Sequence, residues 1–514
     1  MESNNKRVAR NTLLLYFRML FLSGISFFTV RIILEALGVI DYGIMNVISS
    51  LVASLSFLNG TLSSATQRYF SYFLGKNDIF GYKKIFSILL ICYIVVCFSV
   101  LLIGEFLGFF FLNDWLVIPD DRMYAAKWVF QTSLISFIFQ LCVIPFTASL
   151  IAHERMNGFA YISILDGLFK LLIAYLIFYS TYDKLIFYGI LTAIESIIVF
   201  ICYLAYCRIN FDGCRFVQVW EKGLFFELLG YTGWNLFGSI SGMLAGQGQN
   251  ILLNIYFGPV INAAKGISDR ITSVIQSFST NFYVAVAPQI VKSYANGDLS
   301  RMYMLVTKST KFSFLLLILL SYPLIICIEA LLYIWLGREN VESEMVSFCR
   351  LALIYCLVTT IEQPITQMIR ATGHIKKYQL GTGIITLCFI PLAALIFHIG
   401  CEPVGSMYLL IILYSFVQFI RVYIAKHQVN FPIKVYLKES IYPILLVSIT
   451  LMIASYFLVQ LNDSSFGATS LKLLLSFITA TIVSIALGLS KNEKDLLLIK
   501  ITTVIKNRSL RSIV

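Results

Sequence analysis

Four cationic side chains stand in apolar sequence, where a charge is expensive: Arg18 and Arg31 in one run, Lys265 and Arg270 in another. At the centre of a membrane helix such a group costs about 2.5–3.5 kcal/mol on insertion scales, so it turns to a protein interior, a partner or a water-filled cavity. With only Asp269 and Glu35 opposing them, the embedded charge is predominantly positive and invites an anion. The two N-terminal arginines separate on geometry: thirteen positions at ~100° each keep them from pointing squarely into one lumen. Arg31 can pair with Glu35 at i,i+4, a reading at least equal to a ligand role. Arg18 lies ~9 Å into its span, too deep for easy snorkelling and without an acid in its own helix, which favours a cavity.

Polar stripes accompany these charges. Asn262, Lys265, Asp269, Thr272 and Gln276 recur at intervals of three and four and form one helical face, widened by Arg270, Ser273 and Ser277. A milder counterpart runs through Asn46, Ser49, Ala53, Ser56, Gly60, Ser63 and Gln67, and reads as close small-residue packing with interhelical hydrogen bonds. Gly246-Gln247-Gly248-Gln249-Asn250, followed by Asn254, reads as a glycine-rich break whose Gln247, Asn250 and Asn254 share a face; amides offer donors and acceptors to sugar hydroxyls. A helix end near Gly258-Pro259 is the competing reading. Asp269, Glu195 and Glu362 are candidate proton-coupling carboxylates, whereas Glu105 and Glu329 lie near span ends, and Asp166 is neutralised by Lys170 at i,i+4.

The elements that must position these residues are transmembrane helices. The 514 residues are 59% hydrophobic and only 13% charged, too little polar surface for a soluble globule of this size. Apolar runs beyond the ~20 residues that cross a bilayer recur throughout, without the short alternating segments of a barrel, so the expected class is an all-α polytopic membrane protein of about fourteen spans. The net charge of +12 resides in short loops that alternate with neutral or acidic ones. That is the positive-inside pattern rather than a nucleic-acid surface, and it places both termini in the cytoplasm. The tail from Lys491 to Val514 mixes apolar and basic residues and is expected on the inner leaflet.

The chain also repeats. Gly38 and Gly258, Ala65 and Ala285, and Asp78 and Asp298 are each 220 residues apart, and Pro145 and Pro364 are 219 apart. Six spans per repeat give two parallel six-helix lobes, related by a pseudo-two-fold axis along the membrane normal. The expected partition is 1–215 (helices 1–6), 216–430 (helices 7–12) and 431–514 (two further helices and a basic tail). Nothing resembles a nucleotide-binding P-loop, and the four histidines and eleven cysteines show no metal or triad spacing, so no cofactor is expected.

The first hairpin, with Leu37-Gly38, Asp41-Tyr42-Gly43-Ile44 and Ser63-Ser64-Ala65-Thr66-Gln67-Arg68, resembles the bacterial polysaccharide repeat-unit flippases of the O-antigen (Wzx) type, as does the segment from Gly233-Trp234-Asn235 to Pro288-Gln289. These belong to the superfamily of multidrug, oligosaccharidyl-lipid and polysaccharide exporters, and the resemblance covers nearly the whole chain. It implies an inner-membrane flippase that moves undecaprenyl-pyrophosphate-linked oligosaccharide outward by alternating access, for lipopolysaccharide or capsule synthesis. Its implied partners are membrane lipids and the polymerase and glycosyltransferases of the same pathway, not nucleic acid. A multidrug/cation antiporter, a lipid II flippase and an integral-membrane polymerase or ligase are the alternatives. The arginines argue against the first, and no sizeable outer loop is visible for the last.

Overall fold

A computed structural model describes residues 2–110, 119–218, 221–461 and 466–495. The end of the basic tail, and within the helices the side chains of Arg31, Asn254 and Asn262, lie outside the described residues. Among the described residues every regular element is helical and none is a strand. Fourteen long helices result: α1 (2–37), α2 (39–75, with a 3-10 turn at Ser54–Ser56), α3 (Ile79–Phe110), α4 (Met123–Ala152), α5 (Met156–Phe178), α6 (Lys184–Asn210) and α7 (Lys222–Phe257). There follow α8 (Pro259–Ala295), α9 (Leu299–Leu336), α10 (Ser343–Ala371), α11 (Lys376–His398), α12 (Gly405–Val429), α13 (Ile433–Val459) and α14 (Phe466–Gly488). Ten of these satisfy length and hydropathy criteria for a membrane span. The other four, α1, α2, α7 and α8, are the hairpins that carry the embedded charges and polar stripes.

The repeat is visible in the backbone. Left-handed residues end corresponding helices at offsets of 220, 220 and 219: Gly38 (φ 78°) and Gly258 (φ 80°), Asn77 (φ 55°) and Gly297 (φ 75°), Glu154 (φ 60°) and Gly373 (φ 81°). Only glycine adopts this region without steric cost, and asparagine tolerates it best among the rest. Asp78 and Asp298 perform the same task, each accepting a hydrogen bond at the start of the next helix, from Gly81 N at 2.8 Å and Arg301 N at 3.0 Å. Ala65 and Ala285 are both 1% exposed.

The chain forms two compact units. Unit 1 comprises Met1–Met243, Val284–Met302 and Arg370–Gly383; unit 2 comprises Leu244–Tyr283, Tyr303–Ile369 and Ile384–Val514. Unit 1 is held by an apolar core that includes Phe70, Tyr82, Phe86 and Leu141, and unit 2 by separate clusters around Phe348, Phe389, Leu317 and Val447. On α13 and α14, Met452, Phe457 and Phe466 stand outward, a face suited to hydrocarbon rather than water. The glycine-rich stretch 246–250 does not break its helix: α7 runs unbroken to Phe257, and the turn comes at Gly258. Gly248 is instead a close-approach point, since a Cβ there would stand 2.9 Å from Ile390.

Candidate functional site

Within unit 1 a cavity of about 600 Å3 opens among α1, α2, α4, α5 and α6. Its wall carries Ser26 and Thr29 of α1, Tyr42 and Ser49 of α2, Gln140 of α4, and Asp166, Lys170 and Glu195 of α5 and α6. Several hydroxyls are spent on their own helices, as Thr29 on the Ile25 carbonyl at 2.8 Å and Ser196 on Thr192 at 2.9 Å. The charged groups are not dispersed. Lys170 Nζ lies 2.8 Å from Asp166 one turn earlier, and Asp166 and Glu195 stand on the same cavity wall.

Two carboxyl groups in one cavity repel when both are ionised and can share a proton when one is not, because only a protonated carboxyl is a donor. With one such proton Asp166, Glu195 and Lys170 carry no net charge; without it they carry one negative charge, near the Arg18 guanidinium. An unbalanced charge inside a membrane protein is costly, which favours a proton or another cation at such a cluster. Glu195 Oε1 and Ser136 Oγ are buried without a hydrogen-bond partner, and both residues line the cavity. The sequence pointed to Glu195 and treated Asp166 as neutralised; the fold joins the two.

Arg18 lies one turn from Leu22, a cavity-lining residue of α1. Its guanidinium sits 4.4 Å from the Phe159 ring centre, and its Nε and Nη1 are buried without hydrogen-bond partners. A cation against an aromatic face is attracted by the ring quadrupole but keeps its donors. In unit 2 the expected cationic stripe is partly self-compensating: Lys265, 7% exposed, is ion-paired with Asp269, whereas Arg270 is exposed and has no ion pair among the described residues. Gln247 is exposed, Asn250 and Gln276 are half-buried, and the neighbouring Gln249 is committed to Ser406 at 3.0 Å. Glu362 is ion-paired with Arg421. Thus, of the coupling candidates, Asp269 and Glu362 are paired to basic side chains, and Glu195 makes no ion pair among the described residues.

A second polar assembly lies at the end of unit 1 that bears the basic loops. Glu154, whose side chain is 2% exposed, accepts from Lys292 Nζ at 2.8 Å and Gln289 Nε2 at 2.6 Å. Arg301 in turn donates to Gln289 Oε1 at 2.9 Å, and Asn11 donates to the Glu154 carbonyl at 3.3 Å. The repeat-related contact is made by Arg68, which donates to the Ala371 carbonyl at 3.5 Å and pairs with Glu227 at 3.7 Å. Its guanidinium lies 4.4 Å from the Tyr69 ring centre and 5.1 Å from that of Tyr231. Each repeat therefore sends the end of its second helix to the turn after the other repeat's fourth helix. Where these second helices cross, Gly75 is required, because a Cβ would meet Lys292 Cα at 2.9 Å. Sequence reasoning missed Glu154; the available signal was a lone acid between His153 and Arg155 in a loop otherwise basic.

At the opposite end Arg122 bridges Asp41 and Asp183, the latter at 2.7 Å. Asp183 also caps α6 through Leu185 N and Ile186 N, both at 3.1 Å. One arginine thereby ties the α1–α2 turn, the start of α4 and the α5–α6 turn.

Residues 236–395 match the MatE family model. No curated protein matches the chain in sequence. Among solved structures, a multidrug resistance MATE family transporter of the MOP superfamily in an outward-facing conformation aligns with TM-score 0.70 and 12% identity, over 83% of this chain and 96% of that one. MATE in the bent conformation aligns with TM-score 0.72 and 11% identity, over 84% and 97%. A MOP superfamily transporter from Pyrococcus furiosus, described as having a binding pocket of reverse polarity that suggests a different function, aligns with TM-score 0.70 and 12% identity, over 83% and 96%. At these identities the likeness is one of fold: this chain has the MATE transporter architecture, two lobes of six helices, here with two more helices after them.

Proposed function

We propose that this chain is an alternating-access transporter of the bacterial inner membrane, and that its cargo is an undecaprenyl-pyrophosphate-linked oligosaccharide carried to the outer leaflet. The lobes 1–215 and 216–430 are the moving parts, with 431–514 an accessory helix pair and tail. The single observation that carries the cargo assignment is Arg18, a half-buried arginine in a membrane helix whose buried Nε and Nη1 have unspent donors; Arg270 on α8 is a further cation with no ion pair among the described residues. A diphosphate supplies the missing anions, the Gln247, Asn250 and Gln276 amides are available to sugar hydroxyls, and the polyprenyl tail remains in lipid. The cytoplasmic face is the one bearing the basic loops, by the positive-inside rule.

Coupling belongs to the unit 1 cavity. Loading a proton makes the Asp166–Glu195–Lys170 trio neutral, and losing it strands a charge, so protonation biases which arrangement of the helices is favoured. Lys170 holds Asp166, and Glu195 carries or releases the proton.

A multidrug/cation antiporter is the second reading, and two observations favour it: the carboxyl-lined cavity, and the fold shared with a structure described as a multidrug resistance transporter. Deletion of the gene separates the two. A flippase leaves undecaprenyl-linked repeat units on the cytoplasmic face and depletes surface polysaccharide. An antiporter leaves polysaccharide intact and sensitises the cell to cationic dyes, an outcome that rejects the first reading.

A further inference from the structure

The basic-loop end of unit 1 contains a second cavity, of about 580 Å3, formed where the start of α1, the α2–α3 turn, the α4–α5 turn and the end of α6 converge. It is separate in its lining from the coupling cavity, which shares none of its residues. Arg10 and Arg155 both line it, and neither has an ion-pair partner among the described residues. The two acids on the wall are already engaged: Glu154 with Lys292 and Gln289, and Asp212 with Arg215 at 3.3 Å. The site therefore presents uncompensated positive charge to whatever enters.

The remaining wall is built to hold something more specific than a counter-ion. His153 stacks on Phe211, with ring centres 4.0 Å apart and planes at 17°. Its Nδ1 donates to the Ser149 carbonyl at 2.9 Å. Burial pushes its titration down to about 4, so at neutral pH the ring is uncharged and Nε2 is an acceptor. Asn210 donates its amide to the Tyr206 carbonyl at 2.8 Å, which leaves its side-chain oxygen to accept. Leu74 and Ile79 supply an apolar edge, and Ile79 is exposed beside the equally exposed Phe80. Two guanidinium groups, two acceptors and an apolar rim together match a phosphate ester that also carries hydroxyl groups.

We propose that this cavity binds the phosphate headgroup of a hydroxyl-bearing phosphate ester, Arg10 and Arg155 holding the phosphate while His153 Nε2 and Asn210 Oδ1 accept from the hydroxyls. A phosphoglycerol lipid of the same leaflet and a free glycerol phosphate share this chemistry. The apolar rim at Leu74 and Ile79 offers a path for an acyl chain only to the first.

The full chain in detergent is titrated with short-chain phosphatidylglycerol, with sn-glycerol 3-phosphate and with short-chain phosphatidylcholine, by calorimetry. Phosphatidylglycerol should bind, phosphatidylcholine should bind at least tenfold more weakly, and Arg10→Gln/Arg155→Gln should weaken phosphatidylglycerol at least tenfold, one decade per 1.4 kcal/mol. Arg10→Lys/Arg155→Lys should recover part of the affinity, which guards against a loss caused by misfolding. Glycerol phosphate that binds as tightly as the lipid assigns the site to a soluble ester, and weaker binding assigns it to the lipid. Equal binding of phosphatidylglycerol by wild type and the double glutamine variant, or no phosphate ester binding at all, overturns the proposal.

Discussion

Glu154 is where the account is most exposed to test, because one substitution separates an interaction from the strain it imposes. Its carboxylate is buried and accepts two hydrogen bonds across the repeats, from Lys292 and Gln289. Hydrogen bonds to charged groups contribute about 1.5–3 kcal/mol each, and breaking a buried pair costs about 3–5 kcal/mol. Lys292 is 23% exposed and can rehydrate, so the low end, about 3 kcal/mol, applies to Glu154→Ala. Glu154 also sits at φ 60°, where a residue with a Cβ gives up about 1 kcal/mol and where its repeat mate is Gly373. Glu154→Gly therefore loses the same bonds but recovers the strain, a net of about 2 kcal/mol. In opening equilibria these correspond to roughly 150-fold and 30-fold. Hydrogen–deuterium exchange read by mass spectrometry should show amides in 150–158 and 286–298 exchanging faster by those factors, with the rest of α5 and all of α6 unchanged. Exchange within twofold of wild type in both segments refutes the stabilising role of the Glu154 contacts with Lys292 and Gln289. Identical acceleration by Ala and Gly refutes the strain argument.

Other consequences follow from single groups. Glu195→Gln should fix the trio in its neutral form and abolish the dependence of transport on a proton gradient while leaving the protein folded, measured in proteoliposomes with and without an imposed pH step. Glu362→Gln should leave that dependence in place, because Glu362 is tied to Arg421. Arg122→Ala removes a three-way tie and should lower the thermal midpoint in detergent; its partly exposed pairs limit the loss to about 1–2 kcal/mol. For His153 the folded titration near 4 lies below the ordinary value near 6.5, so the unfolded chain binds the extra proton first. Its contribution is complete above pH 6.5 and is lost as pH falls from there toward 4, by about 2 kcal/mol at pH 5. Chemical denaturation of His153→Gln should show that part of the slope removed.

What the sequence disclosed and what it hid divide along the distance between partners. The repeat was legible because turn glycines and capping aspartates are local necessities, and Gly38, Asp78 and their mates do local work. Lys265–Asp269 was legible too, by the same i,i+4 spacing that joined Asp166 to Lys170; the weight given to Lys265 as a free cation overlooked it. Glu362–Arg421 and Glu154–Lys292 join helices far apart in sequence, and Asp166 and Glu195 come to one cavity from consecutive helices; no periodicity announces any of them. The glycines at 246–250 misled in another way: inside a packed helix, Gly248 makes room for α11 rather than ending α7. The motif residues Arg68, Asn235 and Gln289 acquire a physical meaning as well. All three make polar contacts in unit 1 between segments distant in the chain, Asn235 with Gln379 at 2.8 Å.

The central claim is that Arg18 holds an anionic, lipid-linked cargo in a transporter driven through Asp166–Glu195. Proteoliposomes loaded with a fluorescent undecaprenyl-pyrophosphate oligosaccharide test it directly, through quenching of the label as it reaches the outer leaflet. Wild type should move the label under a proton gradient, and Arg18→Gln should slow it at least tenfold with Glu195 intact. Movement unaffected by Arg18→Gln, or extrusion of a cationic dye with no movement of the oligosaccharide, would contradict it.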